Sequence, residues 1–157
     1  MAYWLMKSEP RAFGIEDLAR APARRSAWDG VRNYQARNFL RAMHPGDEAF
    51  FYHSSCAEPG VAGIMRIVSA AYPDPTQFDP RNHHFDPKSP REAPRWSVVD
   101  VEFAAKFTPP VALKKLRDEK RLRDLLILKR GNRLSVTPVT SLQWRCINEL
   151  SRAAKKK

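Results

Sequence analysis

Six prolines crowd the stretch from Tyr72 to Arg95, and they limit the fold more than any other feature of this chain. Pro73, Pro75, Pro80, Pro87, Pro90 and Pro94 each fix φ and remove a backbone donor, so neither a helix nor a central strand can run through the segment. An irregular stretch of this length inside a compact domain is functional or mobile. It also carries the adjacent pair His83 and His84.

Regular structure is expected on both sides of it. Tyr3–Lys7 is apolar and aromatic, which predicts a buried first strand ended by Ser8-Glu9-Pro10. Ile15–Ala19 reads as a short helical turn and Arg20–Ser26 as a basic loop. From Asn33 onward, Ala36, Phe39, Leu40 and Met43 fall at i, i+3, i+4 and i+7, one apolar stripe of a helix that stops at His44-Pro45-Gly46-Asp47. Glu48–His53 and Val61–Ala70 read as strands, and the run Ala49-Phe50-Phe51-Tyr52 implies burial on both faces. Trp96–Phe107 alternates, with Val99, Val101 and Phe103 on one side. Leu113–Leu128 suggests one or two short amphipathic helices, and Arg133–Val136 a strand stopped by Pro138. Thr140 and Gln143 form a capping-box start for a last helix, with Leu142, Ile147 and Leu150 as its buried side. This order predicts an α+β fold with a strongly curved sheet, as a single domain over 1–151 with a basic tail over 152–157.

Composition narrows the class. An apolar content of 43% and an aromatic content of 10% describe a globular protein, not a disordered one. No apolar stretch is long enough for a bilayer, and the N-terminus lacks the pattern of a signal peptide, so a cytoplasmic protein with no membrane partner is expected. Cys56 and Cys146 then read as two reduced thiols. The formal net charge of +11, part of it from Arg152, Lys155, Lys156 and Lys157, draws polyanions.

The run Trp28-Asp29-Gly30-Val31-Arg32-Asn33-Tyr34-Gln35-Ala36-Arg37-Asn38 is the densest chemical signal. Amides read hydrogen-bonding edges, aromatic faces accept flat ligands and guanidinium groups hold anions, a mixture suited to a nucleobase with phosphate nearby. Trp28, beside the turn Asp29-Gly30, is the candidate stacking platform; a core plug at the mouth of the sheet is its structural alternative. Asn33 and Asn38 offer amide contacts, and Asn33 equally suits a helix N-cap. Lys7 and Ser8 end one strand, and Tyr52, His53 and Ser54 end another, where they could present donors and acceptors to a ring edge. Tyr34 belongs to the same pocket set, and Trp96 either packs in the core or touches the ligand. Arg24, Arg25, Arg32, Arg37 and Arg41 are the candidate phosphate contacts.

With these residues laid out, the chain resembles the EVE domain family. Trp4-Leu5-Met6-Lys7-Ser8-Glu9-Pro10, the Trp28–Asn38 run, Phe51-Tyr52-His53-Ser54, Tyr72-Pro73-Asp74 and Leu134-Ser135-Val136-Thr137-Pro138-Val139 carry the likeness over nearly the whole length. The resemblance implies a PUA-like curved mixed β-barrel flanked by short helices, similar to the YTH domains, and a non-enzymatic reader of a modified base. It places Ser135 at the pocket and gives Trp28 the position of a cage tryptophan. The expected partner is nucleic acid, foremost a modified cytosine in DNA with modified RNA as the alternative, bound by a monomer without cofactor.

An enzyme acting on such a base is the competing class. His53-x-x-Cys56 is only a fragment of a zinc signature, and His83-His84 lies in the proline-rich stretch. The chain has no His-x-Glu followed by Pro-Cys-x-x-Cys and no glycine-rich phosphate loop. Neither a metal site nor catalysis is expected.

Overall fold

The computed structural model describes residues 1–155. Six strands form one sheet: β1 (Tyr3–Ser8), β2 (Arg25–Ala27), β3 (Glu48–His53), β4 (Gly60–Ile67), β7 (Asp100–Ala112) and β8 (Val136–Val139), in the order β2-β7-β4-β3-β1-β8. β1 runs parallel to β3 and every other pairing is antiparallel, so the sheet is mixed. It curls into a half-barrel, and β-bulges break the register at Phe51/Tyr52, Val61/Gly63 and Ile64/Met65. The two-residue strands β5 (Tyr72–Pro73) and β6 (Ser97–Val98) pair separately. Four helices flank the sheets: α1 (Ile15–Arg20), α2 (Tyr34–Ala42), α3 (Leu113–Asp118) and α4 (Ser141–Lys155).

Residue alternation divides the interior in two. Trp4, Met6, Ala49 and Phe51 face one core with Leu18, Trp28, Leu40 and Val101. Leu5, Phe50 and Tyr52 face a second core with Leu116, Leu122, Trp144 and Ile147. Side chains on a strand alternate between faces, so β1 and β3 each supply both cores, as the two-faced apolar run in β3 predicted. Gly63 sits at a bulge where a β-carbon would overlap the carbonyl oxygen of Ala105, which is why this position has no side chain.

Several boundaries differ from expectation. Pro138 lies inside β8 instead of stopping it, because β8 is an edge strand bonded only to β1. β7 runs past Phe107 to Ala112; Pro109 and Pro110 fall in the register break between the pairs Gly63–Lys106 and Val61–Val111. Part of the basic loop Arg20–Ser26 is a 3-10 turn, Pro22–Arg24, that leads into β2. Thr140 and Gln143 do make reciprocal bonds of 2.9 and 3.1 Å at the start of α4. Leu142, however, is 71% exposed: the helix docks through Trp144, whose ring stacks on Tyr3 and Phe50 at 4.5 and 4.0 Å, and this rotates Leu142 outward. α4 continues through Arg152 to Lys155, so that part of the expected tail is helical; Lys156 and Lys157 lie outside the described residues.

Candidate functional site

β1 and β3 are parallel, so their C-terminal ends lie side by side, with Lys7 opposite Tyr52 and Ser8 opposite His53. Beyond Ser8 the chain turns sharply: the Glu9 carbonyl accepts from the amides of Ala12 and Phe13, and the Ser8 hydroxyl donates to the Phe13 carbonyl at 2.7 Å. This turn swings Phe13 over Phe51, with ring centroids 6.2 Å apart. Trp28 meets the same Phe51 edge-on at 5.2 Å, and its amide is bonded to the Val99 carbonyl. Between these elements opens a cleft of about 550 Å³ lined by Lys7, Ser8, Glu9, Phe13, Trp28, Asp29, His83 and His84 among others. That volume suits a small organic ligand.

The proline-rich stretch forms the far wall of the cleft, and buried polar bonds hold it in place. The fully buried Asp74 accepts from the Gly30 amide (2.9 Å), Arg32 Nη1 (3.0 Å), and the Thr76 amide and hydroxyl (2.8 and 2.6 Å). Arg32 also donates through Nε and Nη2 to the His84 carbonyl at 3.1 and 2.8 Å. Buried Gln77 donates to the carbonyls of Asp74 and Trp96 and accepts from Ser89 and the Trp96 amide. Asp86 receives the Trp96 indole N–H at 2.7 Å. The His84 ring lies against Gly30, whose φ of +81° suits glycine; a β-carbon there would come within 2.9 Å of three imidazole atoms. The segment contains little regular structure, yet its buried polar side chains are all bonded.

Of the residues expected at the pocket, Lys7, Ser8 and Trp28 meet at this cleft. Trp28 also serves as a core plug: it is only 7% exposed, so the ligand side meets a wall shared with the core rather than an open ring. The other expected pocket residues are placed elsewhere. The Asn33 side chain caps α2, accepting from the Ala36 amide at 3.0 Å. Asn38 accepts from Arg37. Tyr34 stacks on Trp96 at 4.9 Å on the outside of the domain, and Trp96 is buried. Tyr52 points into the second core, on the opposite face of the sheet. Ser54 donates its amide to the Ser8 carbonyl, and Ser135 accepts from the Lys7 amide through its carbonyl.

None of the five candidate phosphate arginines lines the cleft. Arg32 is paired with Asp74, and Arg25 with Glu102. Arg37 donates to the Arg95 carbonyl, and Arg41 to Ser97 and the carbonyls of Pro94 and Arg95. Arg24 lies over the Phe103 ring. Guanidinium N–H groups satisfy backbone carbonyls, and Arg32, Arg37 and Arg41 fasten the wall in this way, with Arg41 still exposed to solvent. Sequence reading missed Asp29, Phe13, His83 and His84 as cleft residues. The one signal available was a histidine pair in a proline-rich loop, and only tertiary bonds such as those of Asp74 and Arg32 fix where such a loop returns.

His53 and His84 belong to separate cavities, because His53 lines a smaller one with Glu16 and Lys106. Among the described residues, no three His, Cys, Asp or Glu side chains are arranged to hold a metal ion. Burial lowers the Lys7 pKa from its ordinary value. Burial also lowers His84, helped by neighbouring His83 and Arg32 and opposed by Asp29 and Asp74. Burial would raise Asp74, but its bonds from Thr76, Gly30 and Arg32 outweigh that and lower it. The cleft thus offers a cationic donor at Lys7, a carboxylate acceptor at Asp29, imidazoles and apolar walls. A flat heterocycle with both donors and acceptors on its edge matches that set.

The smaller cavity leads to a pH prediction. His53 Nε2 accepts the Ile15 amide at 3.1 Å, which requires a neutral imidazole, and burial lowers its pKa against the weaker opposing pull of Asp17 and Glu16. The folded protein therefore binds fewer protons here than the unfolded chain. This contribution is fully present above the unfolded histidine pKa of about 6.5 and is lost as pH falls through the lower folded values. Urea melts should show stability declining below about pH 6.5, and His53→Gln should flatten that decline. An unaltered pH profile in the variant would remove His53 from the role.

A match to the EVE domain spans residues 2–150. The chain belongs to the EVE domain family. Thymocyte nuclear protein 1 of Homo sapiens is 49% identical over 160 residues, which cover 91% of this chain and 71% of that protein. A Pseudomonas syringae protein of 53% identity superposes with a TM-score of 0.92, covering 96% of this chain and 99% of its own. The human THYN1 protein in complex with 5-methylcytosine containing DNA superposes with a TM-score of 0.91 at 45% identity, covering 96% and 98% of the two chains. The curled sheet is thus the PUA-like architecture of this EVE family. The cytoplasmic expectation is corrected here: relatives from Homo sapiens, Danio rerio and Mus musculus bear the name of a nuclear protein. Lack of a targeting pattern in the chain could not separate the two compartments.

Proposed function

We propose that this EVE domain, residues 1–151, is a monomeric, non-catalytic module that binds DNA carrying a modified cytosine and receives the altered base in the cleft. The observation that carries the reading is the cleft itself, where Lys7 and Asp29 offer opposite charges beside the apolar walls of Phe13 and Trp28. The cytosine edge presents ring acceptors and an exocyclic amine donor, and this pair complements it. The human THYN1 complex with 5-methylcytosine DNA, on the same fold at 45% identity, supports the same ligand class.

Magnitudes limit how such a site can work. Extruding a base costs a few kcal/mol, and stacking returns about 1–3 kcal/mol. One extra buried methyl adds only about 0.8 kcal/mol. Bonds to the base edge must therefore supply most of the discrimination, and phosphate contacts most of the affinity. Lys7→Met is expected to weaken binding of a modified-cytosine oligonucleotide by about ten- to a hundredfold, the loss of one charge-assisted hydrogen bond. Fluorescence anisotropy against a panel of modified and plain DNA and RNA tests both points. Equal affinity for all members would reject the reading, and a preference for modified RNA would move it to that polymer. Unchanged nucleosides by mass spectrometry after incubation are expected of a non-catalytic module.

A further inference from the structure

We propose that the face formed by α3, α4 and the 3-10 turn Lys120–Leu122 is a second nucleic-acid contact, one that grips the sugar–phosphate backbone of a segment other than the one whose base enters the cleft. The proposal rests on the cleft reading above and extends it.

The arginines expected to hold phosphate around the cleft are turned to carbonyls, carboxylates and a ring. Much of the net charge of +11 is carried away from the cleft, on the C-terminal third of the chain. From Lys114 to Lys155 every lysine and arginine is exposed. Among the described residues, only Arg121 and Lys129 of these make ion pairs. Leu142, Arg145, Glu149 and Arg152 recur at three- and four-residue steps, so they share one side of α4. Glu149 accepts from Arg121 at 2.8 Å, which ties the turn to that side of the helix. Of the acids on these elements, Glu119 and Glu149 are committed to Arg121 and Asp118 alone is exposed without an ion pair among the described residues, so the exposed cations remain in excess for a partner.

The two surfaces lie across the sheet from each other. Trp28 packs on Phe51 and Trp144 on Phe50, and adjacent residues of a strand point to opposite faces. Packed layers are about 10 Å from a sheet, so roughly 20 Å of protein separates cleft from basic face. A duplex seated at the cleft does not reach round it, and one protein molecule can hold two segments. An anionic membrane is the poorer fit. A helix lying in a bilayer surface needs a broad apolar stripe, and the outward side of α4 has a lone Leu142 among charges.

The test uses the full chain, with Arg145→Glu/Arg152→Glu as the patch variant and Arg20→Glu/Arg66→Glu, two exposed positions outside the cleft and its wall, as a control of equal charge change. The salt dependence of duplex binding, and energy transfer between two differently labelled duplexes on adding protein, are measured for each. The patch variant should reduce the slope of log Kobs against log salt by about 2, since each phosphate contact contributes about 0.9. It should also abolish energy transfer while leaving the ratio of modified to plain affinity unchanged, and the control should keep both. Equal losses in the control, an unchanged slope in the patch variant, or tighter binding to phosphatidylserine vesicles than to DNA would each overturn the proposal. Failure of the cleft reading shows separately, as a wild-type protein indifferent to the base modification.

Discussion

Asp74→Ala is expected to lower stability by about 3–5 kcal/mol, the largest loss expected from a single change in the proline-rich wall of the cleft. Asp74 is fully buried and its partner Arg32 is 22% exposed in its side chain, so the substitution strands a largely buried guanidinium. Breaking such a pair from one side costs that much because the remaining charge is neither paired nor solvated. The Gly30 amide and both Thr76 donors lose their acceptor in the same step. Chemical denaturation should record the loss, and the modified-base affinity should fall with it, because Arg32 also holds the His84 carbonyl beside the cleft. The double variant Arg32→Met/Asp74→Ala removes both charges and should recover part of the stability. If Asp74→Ala costs less than about 1 kcal/mol, the wall is not held by this pair. The same carboxyl sets an acid limit: its pKa is lowered in the folded protein, so its contribution is full above the unfolded value near 4 and is lost as pH falls through the folded one.

Trp28→Ala is expected to cost a similar 3–5 kcal/mol, the range for emptying a buried aromatic site, since only 7% of the residue is exposed and Phe51 rests on it. Trp28→Phe separates the two duties of the residue. It keeps an aromatic ring against Phe51 and most of the stability but presents a smaller surface to the cleft. Discrimination between modified and plain cytosine should drop in Trp28→Phe, while the salt-sensitive bulk affinity stays near that of the wild type, because stacking and charge are separate contributions. Titrations in which the two oligonucleotides still differ as they do for the wild type would show that Trp28 does not form part of the base pocket.

Local rules made much of this molecule legible from the chain. The two-faced run Ala49–Tyr52, the stripe Ala36–Met43, the alternation Val99–Phe103 and the Thr140/Gln143 box all appear in the structure near their expected positions. Each depends on residues within a few positions of one another, so periodicity and capping suffice. Pro138 and Leu142 were misplaced because each depends on a distant partner: the edge position of β8 beside β1 for one, the stacking of Trp144 on Tyr3 and Phe50 for the other.

The site divides along the same line. Lys7, Ser8 and Trp28 could be found because they stand where strands end or turns begin, a property of the local chain. The duties of Arg32, Arg37 and Arg41 could not, since a guanidinium looks identical in sequence whether it awaits a phosphate or holds a carbonyl. Hydropathy spacing and turn chemistry determined which segments became strands and helices and what kind of surface the chain carries. Which side chains share a cavity was decided only when the proline-rich segment folded back on Asp74 and Arg32. That closure depends on bonds spanning more than forty residues, which no local pattern encodes.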